Sequence, residues 1–191
     1  MLRSVLALLA ASFAYTIVRY HLLGPEPAEH IPAYLLNKAV SLASVSFLFR
    51  AAIEYRRNRD DNVRDWGTAA LHAGYAHILL SVALLSEAYH PIFYDGSRLS
   101  MRGELAIGLG TLAAYGFWLI RKNRSNASIK RILQTVTALA AGGHLVSLGS
   151  GGWMAMGDWH GSLPPISLLG FILTFLSAVL FLLPHLHPKS S

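Results

Sequence analysis

Two histidines stand out as groups able to do chemistry. His77 follows Arg64 by thirteen residues, and His144 follows Arg131 by the same interval, each within a long apolar run. At 1.5 Å of helical rise per residue, both imidazoles lie about 20 Å above the level marked by the arginines. Ionisable groups at such depth in a membrane are costly, so each is by default a functional-site residue. Two imidazoles at one level, on helices that run in the same direction, can supply both axial ligands of a heme iron.

The neighbours of each histidine suit that chemistry. Ala69, Ala70, Ala73, Gly74 and Ala76 surround His77, and Ala138, Ala140, Ala141, Gly142 and Gly143 precede His144. Only small side chains let a helix backbone approach a flat porphyrin closely, which makes Gly74 and Gly143 candidate cofactor contacts. Small residues also pack transmembrane helices together, and alone they would indicate nothing more. Ser81 and Ser147, four and three residues after the histidines, are candidate hydrogen-bond partners for the free imidazole N–H groups.

Other polar residues carry weaker expectations. His90 and His160 are outer-face candidates for a metal or a quinone, together with Asp95 or Asp158, and His90 with His144 is an alternative ligand pair. His72, on a different face from His77, reads as a hydrogen-bonded packing residue. His21, His30, His185 and His187 read as solvated groups at helix ends or in loops. Lys38 and Glu87 are expected to pair or to snorkel, with a proton-path role for Glu87 as the sharper alternative. Trp66, Tyr89, Phe93, Tyr94, Trp118, Trp153 and Trp159 cluster near span ends, as an interfacial belt does. Gly103, Gly108, Gly110 and Gly116 suggest close helix packing.

The elements that position these groups follow from composition. Of 191 residues, 53% are hydrophobic and 14% charged, with a mean hydropathy of +0.43, which is too apolar for a soluble or disordered chain. A bilayer core about 30 Å thick needs about 20 apolar residues per helix. Six stretches meet or approach that length: residues 4–23, 33–53, 67–89, 103–120, 129–149 and 165–183. The separators GPEPAEHIP, EYRRNRDDNVRDW, HPIFYDGSRLSMR, RKNRSNAS and SGGWMAMGDWHGSLP are rich in turn formers. The expectation is an all-α, six-helix transmembrane bundle forming a single domain over residues 1–191. Arg3, an apolar run and Ser12-Phe13-Ala14 imitate a signal peptide, but the run continues to Val18 and favours a retained helix.

The net charge of +6 has a membrane explanation. With the N-terminus inside, twelve Lys and Arg fall on the inner side: Arg3, Arg50, Arg56, Arg57, Arg59, Arg64, Arg121, Lys122, Arg124, Lys130, Arg131 and Lys189. Arg19, Lys38, Arg98 and Arg102 fall outside. This bias places both termini in the cytoplasm and faces the basic residues toward anionic lipid rather than nucleic acid. The chain has no cysteine, so thiolate metal sites, iron–sulfur clusters and disulfides are excluded, and iron would have to be held by imidazole.

At this point the chain resembles the ferric reductase-like transmembrane domain family. That family includes the membrane part of NADPH oxidases, the six-helix metalloreductases and the heme subunit of the periplasmic methionine sulfoxide reductase system. The resemblance rests on RDWGTAALHAGYAHILLSVALL, YDGSRLSMRGELAIGLGTLAAYGFWLI and IKRILQTVTALAAGGHLVSL, and spans roughly residues 34–183. In two-heme members spans three and five each carry two histidines. Here the outer positions match His77 and His144, while the inner ones fall near Val63, Arg64, Lys130 and Arg131, which do not ligate. The resemblance therefore implies one heme b, with a bound flavin or quinone as a possible bridge to the cytoplasmic side.

The leading expectation is a membrane electron-transfer component in the bacterial inner membrane. It would pass electrons between a cytoplasmic or quinol donor and an outer-face acceptor, as the membrane part of an oxidoreductase that relies on a separate reductase chain. No catalytic side chain is assigned. The alternatives are a proton-coupled or metal-ion transporter using intramembrane histidines, and a non-catalytic partner subunit.

Overall fold

The computed structural model describes residues 1–123 and 126–183. His185, His187, Lys189 and Arg124, all read above as inner-side or solvated groups, lie outside the described residues. Among the described residues the architecture is all-α, with six long helices and one short hairpin that pairs Tyr94–Asp95 with Arg98–Leu99.

Helix α1 (Leu2–Ile17) passes directly into a π-helical turn, Val18–Leu22. A second π turn, Ile31–Leu35, leads into α2 (Leu36–Arg56). Helix α3 (Asp60–Ala83) runs antiparallel along α2, followed by α4 (Met101–Lys122), α5 (Ala127–Gly149) and α6 (Ile166–Leu182). Two helix starts carry side-chain caps: Ser100 Oγ accepts from Gly103 N at 3.2 Å and Asn126 Oδ1 from Ile129 N at 3.0 Å. Glu104 in the first turn of α4 and Arg121 and Lys122 in its last turn complement the helix dipole.

Among the described residues, five segments are long and apolar enough to cross a membrane: Leu2–Leu22, Ala28–Arg56, Met101–Lys122, Ala127–Gly152 and His160–Leu182. Helix α3 is not among them. At 24 residues it is about 36 Å long, which suffices for a bilayer, but its sequence opens on DDNVRD and carries two histidines. It also ends at Ala83 rather than near residue 89. Residues Ser86 to His90 turn instead, with His90 N donating to Ser86 O at 2.9 Å.

Packing divides the bundle into two sets. Helices α1, α2 and α3 lie together, as do α4, α5 and α6, and the α2–α6 contact joins them. Glycines tighten the second set: a Cβ on Gly116 would collide with the Thr137 side chain of α5, and one on Gly142 would press on Thr174 of α6. Helices α3 and α4 touch little, which leaves space between the two sets on that side. The buried core gathers Phe47, Trp66, Ala70 and Phe181, with the Phe47 and Trp66 rings 5.8 Å apart. Trp66 is therefore a core residue and not part of an interfacial belt.

The turn between α2 and α3 is held by a carboxylate that the sequence reading passed over. Glu54 is fully buried, and its oxygens meet Arg50 at 2.7 Å, Arg57 and Arg59 at 3.5 Å, and Asn62 Nδ2 at 3.2 Å. The arginines are 37–58% exposed and can hydrate when released, whereas the carboxylate ties three segments together. Glu54→Ala should cost on the order of 1–3 kcal/mol and lower the melting temperature in detergent by several degrees. An unchanged melting temperature would remove Glu54 from this role.

Candidate functional site

The gap between the two helix sets is a cavity of about 740 Å³, lined by α2, α3, α4 and α5, with Tyr89–Phe93 and Ile166 at one end. That volume falls within the roughly 300–1,000 Å³ typical of small-molecule and cofactor sites. His77 and His144 both line it. Their ring centroids are 6.3 Å apart and the ring planes cross at 72°.

The separation has a chemical meaning. An imidazole nitrogen sits about 1.2 Å from its ring centroid and binds a metal at about 2.0–2.1 Å, so two rings on opposite sides of one ion have centroids about 6.4 Å apart.

Each ring is fixed by its other nitrogen. His144 Nδ1 donates to the Ala106 carbonyl of α4 at 2.7 Å, and His77 Nδ1 donates to Asn37 Oδ1 of α2 at 2.6 Å. Both acceptors are carbonyl-type oxygens, which cannot donate, so both rings carry their proton on Nδ1. The unprotonated Nε2 is then what each ring offers to the cavity, and neither has a hydrogen-bond partner among the described residues. This is the arrangement that orients a ligating histidine and raises its basicity.

The supporting partners differ from those expected. Asn37, 4% exposed, does for His77 what was assigned to Ser81; its Nδ2 donates to Ser81 Oγ at 3.0 Å, while Ser81 Oγ stands 3.4 Å from His77 Nδ1. Ser147 does not serve His144 at all, since its hydroxyl donates to Gly143 O at 3.0 Å. An Asn about five residues into an apolar span was the available signal for Asn37, overshadowed by its charged neighbour Lys38.

Of the two candidate glycines, Gly74 lines the cavity, and a Cβ there would meet Ser44 Oγ at 3.3 Å. Gly143 faces Leu109 of α4 instead and packs the helix pair. The glycine that lets a neighbouring helix come close to His144 is Gly110 of α4, where a Cβ would lie 3.2 Å from His144 Nδ1. Gly108 has open space beside it, whereas Gly103 sits tightly on Phe93.

The outer histidines are not brought together. His90 stacks on Phe93 at 5.1 Å and lines the cavity mouth, while His160 lies against Gly24 and outside the cavity lining. No group of three or more His, Asp or Glu among the described residues is placed to hold a metal ion. Burial holds the His90 pKa below the ordinary histidine value, and the Lys38 ammonium pushes it the same way. His72 is exposed, with no hydrogen bond among the described residues, so it is not a packing residue of the core.

Lys38 and Glu87 form no pair. Glu87 is exposed in the turn after α3, and Lys38 Nζ lies over the rings of Tyr20 and Tyr34, at 4.6 and 4.3 Å from their centroids. Arg19, counted above as an outer charge, is only 4% exposed and donates from Nε to the Leu163 and Pro164 carbonyls, tying α1 to the start of α6. No protein-family model matches this chain, and no curated protein matches it.

Proposed function

We propose that this chain is a six-span membrane protein, both termini cytoplasmic, that binds one heme b between His77 and His144 and passes electrons across the outer half of the bilayer. The observation that carries the reading is the histidine pair: two rings 6.3 Å apart, each with Nδ1 engaged by a different helix and Nε2 left to one cavity. When bound, the heme supplies a one-electron iron couple. Asn37 and the Ala106 carbonyl hold the imidazoles in one tautomer, and Gly74, Gly110 and Ala141 keep the cavity walls low beside them. The aromatic core around Phe47 and Trp66 fills the inner half, so the reading has one heme and a donor reaching it from the cytoplasmic or quinol side.

The family resemblance points the same way, to the membrane component of a ferric reductase-like oxidoreductase in a bacterial inner membrane, served by a separate electron-donor chain. A histidine-based transporter would call for carboxylates at depth. The fully buried carboxylate among the described residues, Glu54, is instead tied down by three arginines at the end of α2. The test is the heme content of protein purified after expression with ample heme supply, measured as its pyridine hemochrome. One b-type heme per chain is expected, and protein that is folded but free of heme would sink the reading.

A further inference from the structure

The outer mouth of the cavity holds a cation without a counter-ion. Lys38 lines the cavity, and no Asp or Glu among the described residues lies within ion-pair distance of its ammonium. Its side chain turns back toward the outer end of α2, where Nζ lies 4.3 Å from the Tyr34 ring centroid and 4.6 Å from that of Tyr20. Both rings also line the cavity, so the ammonium sits at its edge on two aromatic faces. The two π-helical turns, Val18–Leu22 and Ile31–Leu35, carry these two tyrosines, and such turns concentrate at functional sites. Asn37, the preceding residue, holds His77, so Lys38 and that histidine are positioned by one turn of one helix.

A cation at the mouth of a largely apolar cavity selects its occupant by chemistry. We infer that Lys38 is an anion-binding residue that pairs with a carboxylate on the edge of a flat amphiphilic ligand lying between His77 and His144, and so sets the ligand's carboxylate edge toward the outer face. The tyrosine rings hold the ammonium in place without neutralising it, leaving its N–H donors for the ligand. His90, at the same mouth, offers a second polar contact.

This inference rests on the heme reading for its site, and the test keeps the two apart by leaving out the iron. The probes are metal-free protoporphyrin IX, which carries two carboxylates, and its dimethyl ester, which carries none; both are followed by porphyrin fluorescence on the purified full chain in detergent at neutral pH. A charge-assisted contact at this depth predicts that the wild-type chain binds the diacid about tenfold more tightly than the ester. Lys38→Met should erase that preference, and Lys38→Arg should keep it. Equal affinities in the wild type, a preference that survives in Lys38→Met, or no binding of either porphyrin would each overturn the assignment. Ferric heme added to the same preparations reports separately on the histidines: a missing low-spin spectrum alongside an intact diacid preference would contradict the heme reading and leave Lys38 in its role.

Discussion

His77→Ala and His144→Ala should each convert a six-coordinate, low-spin heme into a five-coordinate, high-spin one or lose it altogether. The two rings line one cavity at a separation suited to opposite sides of a single ion, so removing either leaves one ligand and an open position. Affinity should fall by more than the roughly 10–100-fold that loss of a supporting hydrogen bond costs. Visible absorption spectra of the ferric and reduced variants check this. His72→Ala and His160→Ala serve as comparisons, because His72 is exposed and His160 lies outside the cavity lining; both should retain the low-spin spectrum. Retention of that spectrum in His77→Ala would point to His90 as the partner of His144.

Replacing Asn37 should produce the second-largest effect, through His77 rather than through the heme itself. Asn37→Leu keeps the side-chain size but leaves the His77 Nδ1 proton only the longer Ser81 contact inside the bundle, at a cost of about 1–3 kcal/mol. A less basic imidazole stabilises ferric iron less, so the midpoint potential should rise while heme affinity falls about 10–100-fold. Ser81→Ala should shift the potential less, since its hydroxyl is 3.4 Å from the ring against 2.6 Å for Asn37 Oδ1. Ser147→Ala should leave the potential in place, because that hydroxyl serves a backbone carbonyl of its own helix. A redox titration of the four proteins orders them, and an unshifted Asn37→Leu would show that the hydrogen bond does not tune the site.

The shared level of the two histidines was legible because it depends on counting alone. A fixed rise per residue and a basic residue at each helix start place His77 and His144 at one level, and the structure brings the rings together. What counting does not give is rotation about the helix axis. Gly142 and Gly143 are adjacent, yet they face Thr174 and Leu109 on different neighbours, while Gly110 of the next helix faces His144. With alanine and glycine on several sides of α5, no apolar stripe fixes its phase. The end of α3 was obscured as well: the apolar letters continue past Ala83 through Leu84 and Leu85, yet the helix stops and a turn follows from Ser86. Glu54 and Asn37 were hidden by louder neighbours, one within a run of arginines and the other beside Lys38. Both were found only through the partners that the fold gives them.

The most direct test of the central claim, that His77 and His144 ligate one heme iron from opposite sides, is the low-temperature EPR spectrum of the ferric, heme-loaded protein. The ring planes cross at 72°, so the account predicts the highly anisotropic low-spin signal of a heme whose two axial imidazoles stand nearly perpendicular, lost in both His77→Ala and His144→Ala. A high-spin axial signal from the wild-type protein, or a low-spin signal that survives both substitutions, would contradict it.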